Sequence, residues 1–573
     1  MIIIRITFFA RILRLPMFAS MSLPWVIRLP GRLYRMHPLL FASLIAAVLI
    51  AAPIAGVLSN LVPGLAPSDA APQENFAHLW STVMPGYIGN SVGIAVIVAI
   101  LAGVVGIGCA WLIAAFDFPG KRLCEWALIL PLAMPAYVVA YAFTDFLQFS
   151  GPIQTSLRQA FGWEAGDYWF PSIRSLGGAG IVFAFVLYPY IYLLARNAFM
   201  ERSPRMWDAA RTLGLGPWRA FFRVALPLAR PAAAAGMALV LMETLADYGA
   251  VAYFGVPTLT TGIYKSWYAF SDRIAAAQIA AVLLITVAGL VLMEQKSRGR
   301  ARYYATGSRV AGHKAERLSG WRGGAAALAC TLPFLIGFVL PLFILVRLLM
   351  QEEQMSIGLR QLAWFKNSVF LGAVTALIAM LLCVLLAYAG RVSKSPLQAA
   401  CNRIVSMGYA LPGSVIAVGI LIPLSRIDQW NSEHGIALLL NGSVAALIYA
   451  YLVRFLAVSY QSVQAGLSKI TPSMDASARS LGLGLGEMLR RVHAPLLWRS
   501  VATAGLLVFV DVIKELPATL TIRPFNYDTL AVITHQLAAD ERLGEAALPG
   551  LAIVAMALIP VIALARAVSR AHR

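Results

Sequence analysis

The fold reading turns on the stretch 208-DAARTLGLGPWRAFFRVALP-227. It interrupts a chain that is 60% apolar with a small-residue segment, two glycines and three arginines. At 476-ASARSLGLGLGEMLRRVHAP-495 the same pattern returns, identical at nine of twenty positions without a gap, at an offset of 268. A feature written twice at a fixed offset marks an internal repeat, so each copy belongs to one of two equivalent halves.

The surroundings of these copies set the fold class. Only 13% of the 573 residues are charged, against about a quarter in soluble domains. Apolar runs long enough to cross a bilayer, about 20 helical residues each, recur throughout. In a hydrocarbon core every backbone polar group needs an internal partner, so an all-α integral membrane protein is expected. Twelve spans are predicted near 39–59, 89–116, 126–147, 177–195, 231–254, 275–294, 325–349, 367–390, 403–424, 438–458, 500–521 and 545–567.

The net charge of +20 follows sidedness and not a nucleic-acid face. Arg196, Arg202, Arg205, Arg211, Arg219, Arg223 and Arg230 cluster between the fourth and fifth spans, and a second basic group fills 295–322, whereas 60–88 holds no Lys or Arg. The positive-inside rule then puts both termini and the arginine-rich loops in the cytoplasm. The basic segment 1–38 is read as an interfacial cytoplasmic piece and not as a cleaved signal. Five scattered cysteines, at 109, 124, 330, 383 and 401, are read as small packing residues.

More of the repeat is visible outside the loops. Asn-Ser-Val occurs at 90–92 and 367–369, and 133-AMPAYVVA-140 matches 410-ALPGSVIA-417, both at an offset of 277. The change from 277 to 268 leaves nine extra residues in the first half, assigned to the external loop 148–176. Six spans per half is an even number, so the halves, 39–294 and 323–573 with a linker at 295–322, are parallel repeats about an axis along the membrane normal.

Within each loop, 203–230 and 471–499, Ser203-Pro204 and Thr471-Pro472 read as helix starts, the hydroxyl capping and the proline at the first helical position. Gly214 and Gly482, ten residues past each proline, read as left-handed stops. A short helix, a Gly-x-Gly bend, an Arg-rich piece and Pro227 or Pro495 opening the next span are expected. One protruding helix per half offers two handles to a two-fold partner.

The spacing Asp208-Ala209-Ala210, Gly214, Val224, Leu226, Pro227 resembles the EAA loop of the permease subunits of bacterial ABC importers. The second copy departs from it: Ala476 stands in place of the acid, Asp475 lies one place early, and Ala494 replaces Leu. The resemblance implies a type I ABC importer permease-like fold of about twelve helices in the bacterial inner membrane. It implies ATPase-coupling roles for Asp208, Ala209, Ala210 and Gly214, and for Asp475, Ala476, Ala478 and Gly482. The implied partners are a cytoplasmic ABC ATPase homodimer, which uses ATP and Mg, and a periplasmic solute-binding protein. This chain has no GxxxxGK[ST] phosphate loop, so it is expected to bind no cofactor, and no catalytic residue is assigned.

The segments 243–264 and 514–531 narrow the resemblance to the fused ferric-iron permeases, with thiamine and phosphonate permeases sharing the architecture. A secondary transporter is the rival reading, disfavoured because the repeated loops fall between the fourth and fifth spans of each half. A membrane-embedded enzyme lacks any useful cluster of nucleophiles or ligands. Four intramembrane acids stand out: Glu243 and Asp247, Asp511 and Glu515, matched at 268. Spacing of four puts each pair on one helix face, where they either line a cation pathway or hold helices together. No metal site is assigned.

Overall fold

The computed structural model describes residues 38–61, 72–200, 214, 216–298, 316–352, 358–393, 395–436 and 438–570. Among these, ten helices are long and apolar enough to cross a membrane, and twelve if two sharply bent pairs count as one span each. In order, span 1 is Pro38–Leu61, span 2 Met84–Ala115 and span 3 the pair Lys121–Ala133 and Ala136–Phe161. Span 4 is Leu176–Met200, span 5 Trp218–Ala246 and span 6 Arg273–Glu294. Span 7 is Gly320–Gln351, span 8 Leu359–Val392 and span 9 the pair Pro396–Ala410 and Gly413–Glu433. Span 10 is Val444–Leu467, span 11 Leu485–Ile513 and span 12 Leu543–Ala563. The all-α expectation and the number of spans hold.

Two spans are not the straight helices expected. Span 3 turns by 94° and span 9 by 115°. Each turn falls at the matched proline: Met134 and Pro135 are extended (ψ 120° and 136°), as are Leu411 and Pro412 (ψ 123° and 140°). The ring of a proline crowds the residue before it out of the helical region, so one helix ends there and another starts.

A second departure lies at the loops. Pro227 and Pro495 do not open new helices, because each sits inside a helix that began earlier. A π turn precedes each one, at Phe221–Ala225 and Leu489–His493, again 268 apart. A proline has no N–H to give to the carbonyl four residues back, and a widened turn absorbs the loss without ending the helix. Arg196, read from sequence as a loop residue, is wholly buried in span 4 and ion-paired with Glu125. All five cysteines are buried and free.

The packing does not follow the repeat boundary. One apolar core joins spans 2 to 4 with spans 7 and 12. The other joins spans 8 to 10 with spans 1 and 6. Each half therefore lends its first and last spans to the other, which interlocks the halves. The first-half surplus lies where expected, in the helix Pro152–Phe161 and the loop leading to Leu176.

Asn-Ser-Val acquires a purpose here. Asn90 donates to the Pro257 carbonyl (2.9 Å) and the Ser91 hydroxyl accepts from Leu259 N (3.0 Å). Asn367 likewise donates to Asp528 O (3.0 Å), and Ser368 accepts from Leu530 N (2.8 Å). In both halves the motif ties the second span to the backbone beyond the broken fifth or eleventh span, satisfying groups that no lipid can satisfy.

Span 1 crosses span 9 at near backbone contact. A Cβ added to Gly419 would overlap the Pro53 carbonyl, and one on Gly56 would stand 2.6 Å from Gly419 O. Gly419→Leu should cost about 1–3 kcal/mol or more through overpacking. It is expected to lower the apparent melting midpoint in detergent and the monodisperse fraction, whereas Gly108→Ala, with nothing within 4 Å, should leave both unchanged.

Candidate functional site

Four helix interruptions converge on one cavity of about 110 Å³. Its lining includes Met134 and Pro135 from the bend of span 3, Glu243 from span 5 and Asp247 just past its end, Tyr409 beside the bend of span 9, Asp511 from span 11 and Lys514 to Pro517 just past its end. Spans 4 and 10 complete it with Val186, Tyr190 and Arg454. Non-helical backbone at membrane depth is tolerated only where protein or a water-filled cavity surrounds it, and these breaks meet that condition.

All four acids predicted to act together do line this cavity, but not as two i, i+4 pairs on intact helices. Span 5 ends at Ala246, and Asp247 is extended (ψ 141°). Span 11 ends at Ile513, so Glu515 lies past its end. These two carboxylates cap the short helices Gly249–Tyr253 and Pro517–Ile522. Asp247 Oδ1 accepts from Ala250 N (2.8 Å), and Glu515 accepts from Ala518 N and Thr519 N (both 3.0 Å) and from the Thr519 hydroxyl (2.8 Å). A carboxylate at the start of a short helix satisfies its orphan N–H groups and complements their partial positive charge.

Glu243 and Asp511 are held differently. Tyr409 donates to Glu243 Oε1 (2.7 Å), and Lys514 Nζ lies 3.0 Å from Asp511 Oδ1. Arg454 reaches Glu515 at 3.0 Å and Glu243 at 3.7 Å, and so touches a carboxylate from each half. Four carboxylates and two cations leave a formal charge of −2 at the cavity. Among the described residues, no group of three or more His, Cys, Asp or Glu side chains is placed to hold a metal ion.

The frame is two-fold but the chemistry is not. Where the second half carries Arg454 and Lys514, the first has Val186 and Ala246 at an offset of 268, and all four line the cavity. Where the second half carries Tyr409, the first has Leu132 at an offset of 277. Reading from sequence missed Arg454 and Tyr409. An arginine inside the expected span 438–458 was the available signal, since a charge at that depth is costly and needs a partner. Tyr141 and His535 join the halves again through a 2.6 Å hydrogen bond between the hydroxyl and Nδ1.

Asp208, Ala209 and Ala210 of the first loop lie outside the described residues, as does Ser203. Gly214 is left-handed (φ 72°) and exposed. In the second loop the helix Pro472–Ser480 forms. Gly482 (φ 79°) ends it in a Schellman arrangement, with Leu483 N bonded to Ala478 O (3.2 Å) and Gly482 N to Arg479 O (2.9 Å). Thr471 stands at the N-cap, but its hydroxyl pairs with that of Ser473 (2.8 Å) and not with a backbone N–H.

Ala476 and Gly482 face outward, whereas Asp475 and Ala478 are buried against the protein. Asp475 accepts from Arg391 Nε (2.8 Å) and from His493 Nε2 (2.9 Å). Arg391 also donates to the carbonyls of Leu467 (3.0 Å) and Ile470 (2.9 Å). One guanidinium thereby fastens the short helix to the ends of spans 8 and 10. Burial pushes the Asp475 carboxyl up, but the hydrogen bonds from Arg391 and His493 outweigh it and hold it below the usual carboxylate range.

A predominantly helical chain with ten to twelve candidate membrane spans and a charged cavity among its broken helices points to a transport permease. Residues 102–294 match the family model "binding-protein-dependent transport system inner membrane component". The chain is 32% identical over 190 residues to the molybdenum transport system permease protein ModB of Escherichia coli, covering 80% of that protein and 33% of this one. It belongs to this family, the inner-membrane permeases of ABC importers. To the Fe(3+)-transport system permease protein FbpB 2 of Haemophilus influenzae it is 25% identical over 486 residues, 84% of this chain and 90% of that one. To the sulfate transport system permease protein CysT of Escherichia coli it is 27% identical over 266 residues, 45% and 89% of the respective chains.

The depressed carboxyl of Asp475 gives a signed pH dependence. Its contribution is present above the ordinary carboxylate pKa and is lost as pH falls through the lowered value. Asp475→Asn should raise amide exchange across 472–480 at neutral pH and remove its acid dependence, as read by hydrogen exchange; unchanged protection would show that Arg391 holds the helix through carbonyls alone.

Proposed function

We propose that this chain is the permease, with both repeated halves in one polypeptide, of an importer for ferric iron, driven by a separate cytoplasmic ABC ATPase homodimer and supplied by a periplasmic solute-binding protein. The observation that carries the iron reading is the extent of similarity. The likeness to the ferric-transport permease runs through both halves, 84% of this chain, whereas those to the sulfate and molybdenum permeases cover 45% and 33%. The net negative cavity agrees with a cationic cargo, since an oxyanion entering it would meet four carboxylates.

In this reading the chain binds no nucleotide; ATP and Mg belong to the ATPase. Asp208, Ala209, Ala210, Gly214, Ala476 and Gly482 form the coupling surface, with Asp475 and Ala478 anchoring it from behind. Both termini and both loops lie on the cytoplasmic side. Leu481, 81% exposed beside Gly482, supplies an apolar contact for a partner groove. Movement of the two short helices would rock the interlocked halves and open the axial cavity to one side at a time.

Uptake in a strain lacking the native system tests the cargo. Ferric iron should accumulate, while sulfate, molybdate, thiamine and phosphonate should not; accumulation of any of these in place of iron refutes the assignment. Coupling is tested by Gly214→Val and Gly482→Val, each in open space but left-handed, where a β-branched residue is strained by about 1 kcal/mol or more. Normal membrane abundance, continued ATP hydrolysis and a large loss of uptake are expected.

A further inference from the structure

Arg454 differs in kind from the other charges of the cavity. Asp247 and Glu515 are fixed by backbone N–H groups of their own halves, and Lys514 pairs with Asp511 three residues away on the same element. None of these contacts senses the distance between the halves. Arg454, from span 10, contacts Glu515 of its own half at 3.0 Å and Glu243 of the other half at 3.7 Å. Its equivalent in the first half is Val186, so this cation enters the two-fold frame once.

The manner in which its two partners are held shows which member of the trio can move. Glu515 is locked by three hydrogen bonds from the helix it caps, and Glu243 by the Tyr409 hydroxyl. The guanidinium is held by those two carboxylates, at 3.0 and 3.7 Å, with the Phe455 ring 5.4 Å from its Cζ. Among the described residues its buried Nε has no hydrogen-bond partner, and it sits on a long side chain that can swing.

We propose that Arg454 is the resident counter-ion of the pathway, occupying the carboxylates of both halves when the cavity is empty, and that a multivalent cationic cargo passes by taking its place on Glu243 and Glu515. The cargo clause rests on the ferric-iron reading; the counter-ion clause does not. A tethered guanidinium competes at high effective concentration. A monovalent ion brings no more charge than it displaces, whereas a multivalent one gains in proportion to its charge. Arg454 is in this sense a specificity-determining residue: it lets an acid-lined pathway stay closed to monovalent ions.

The test uses the full importer, with its ATPase and binding protein, in liposomes. Ala246→Cys places a thiol on the cavity wall, over a background of native cysteines none of which lines that cavity. Its rate of reaction with trimethylammonium-ethyl methanethiosulfonate is the readout. Adding Arg454→Gln should speed the reaction at least about tenfold and admit a sodium leak, and Arg454→Lys should largely restore the slow rate. Glu243→Gln, which keeps an acceptor for Tyr409 but removes one of the two carboxylates that the guanidinium neutralises, should not speed the reaction, and the acceleration by Arg454→Gln should be smaller in the double variant.

A rate unchanged within about twofold in Arg454→Gln overturns the proposal. If that variant does not reach the membrane, the same result in Arg454→Met, which also removes the charge, overturns it. Iron-loaded binding protein with ATP should also speed the reaction of the Ala246→Cys protein. Acceleration by Arg454→Gln without acceleration by iron supports the counter-ion and refutes the iron reading, whereas iron uptake with no response to Arg454→Gln refutes the counter-ion alone.

Discussion

A helix can stop inside a bilayer only where the N–H and C=O groups it frees are met by protein or by enclosed water. The architecture of this permease is organised by that constraint, because four of its spans are interrupted around one cavity. Pro135 and Pro412 impose two of the interruptions sterically. At the other two, Asp247 and Glu515 take up the orphan N–H groups of the helices Gly249–Tyr253 and Pro517–Ile522. Asn90, Ser91, Asn367 and Ser368 then receive the next stretch of backbone. The two breaks that follow spans 5 and 11 are thus placed in the fold by polar side chains.

Once the breaks are fixed, so are the electrostatics of the cavity. Carboxylates recruited to cap helices are charges held far from bulk water, and such charges need partners. Among the cavity-lining residues the second half supplies both cations, and the first supplies none. A duplicated frame has thus become chemically one-sided, and Glu243 can satisfy its charge only by reaching across the axis to Tyr409 and Arg454. Exchange of the outer spans reinforces the same outcome, since neither half completes its core without helices from the other.

Much of this was legible in the residues. The doubled loop revealed the repeat, Gly214 and Gly482 were read as left-handed and are, with Gly482 ending the helix Pro472–Ser480, and the four acids were singled out and do share one cavity. Other features could not be read. That Asp247 is a cap and not a face-mate of Glu243 depends on the helix ending at Ala246, and nothing in the apolar run 231–254 marks that end. The turn at Pro135 was invisible for a related reason: proline inside an apolar segment is compatible with a kinked span as well as with a reversal. Asp475 was read only as an acid one place early in the loop pattern, and its anchoring role was hidden because its partners, Arg391 and His493, lie 84 and 18 residues away.

The membrane class, the internal repeat, the position of the repeated loops and the identity of the intramembrane acids were all written in the order of the residues. These rest on composition, periodicity and repetition, which are local or self-comparing properties of a chain. Folding in three dimensions was needed to establish that spans 1, 6, 7 and 12 change partners, that the helix breaks meet at one cavity, and that Arg454 stands between Glu243 and Glu515. Those facts depend on which helix packs beside which, and in lipid that choice is made by close packing and polar pairing between distant segments, neither of which leaves a periodic trace in the sequence.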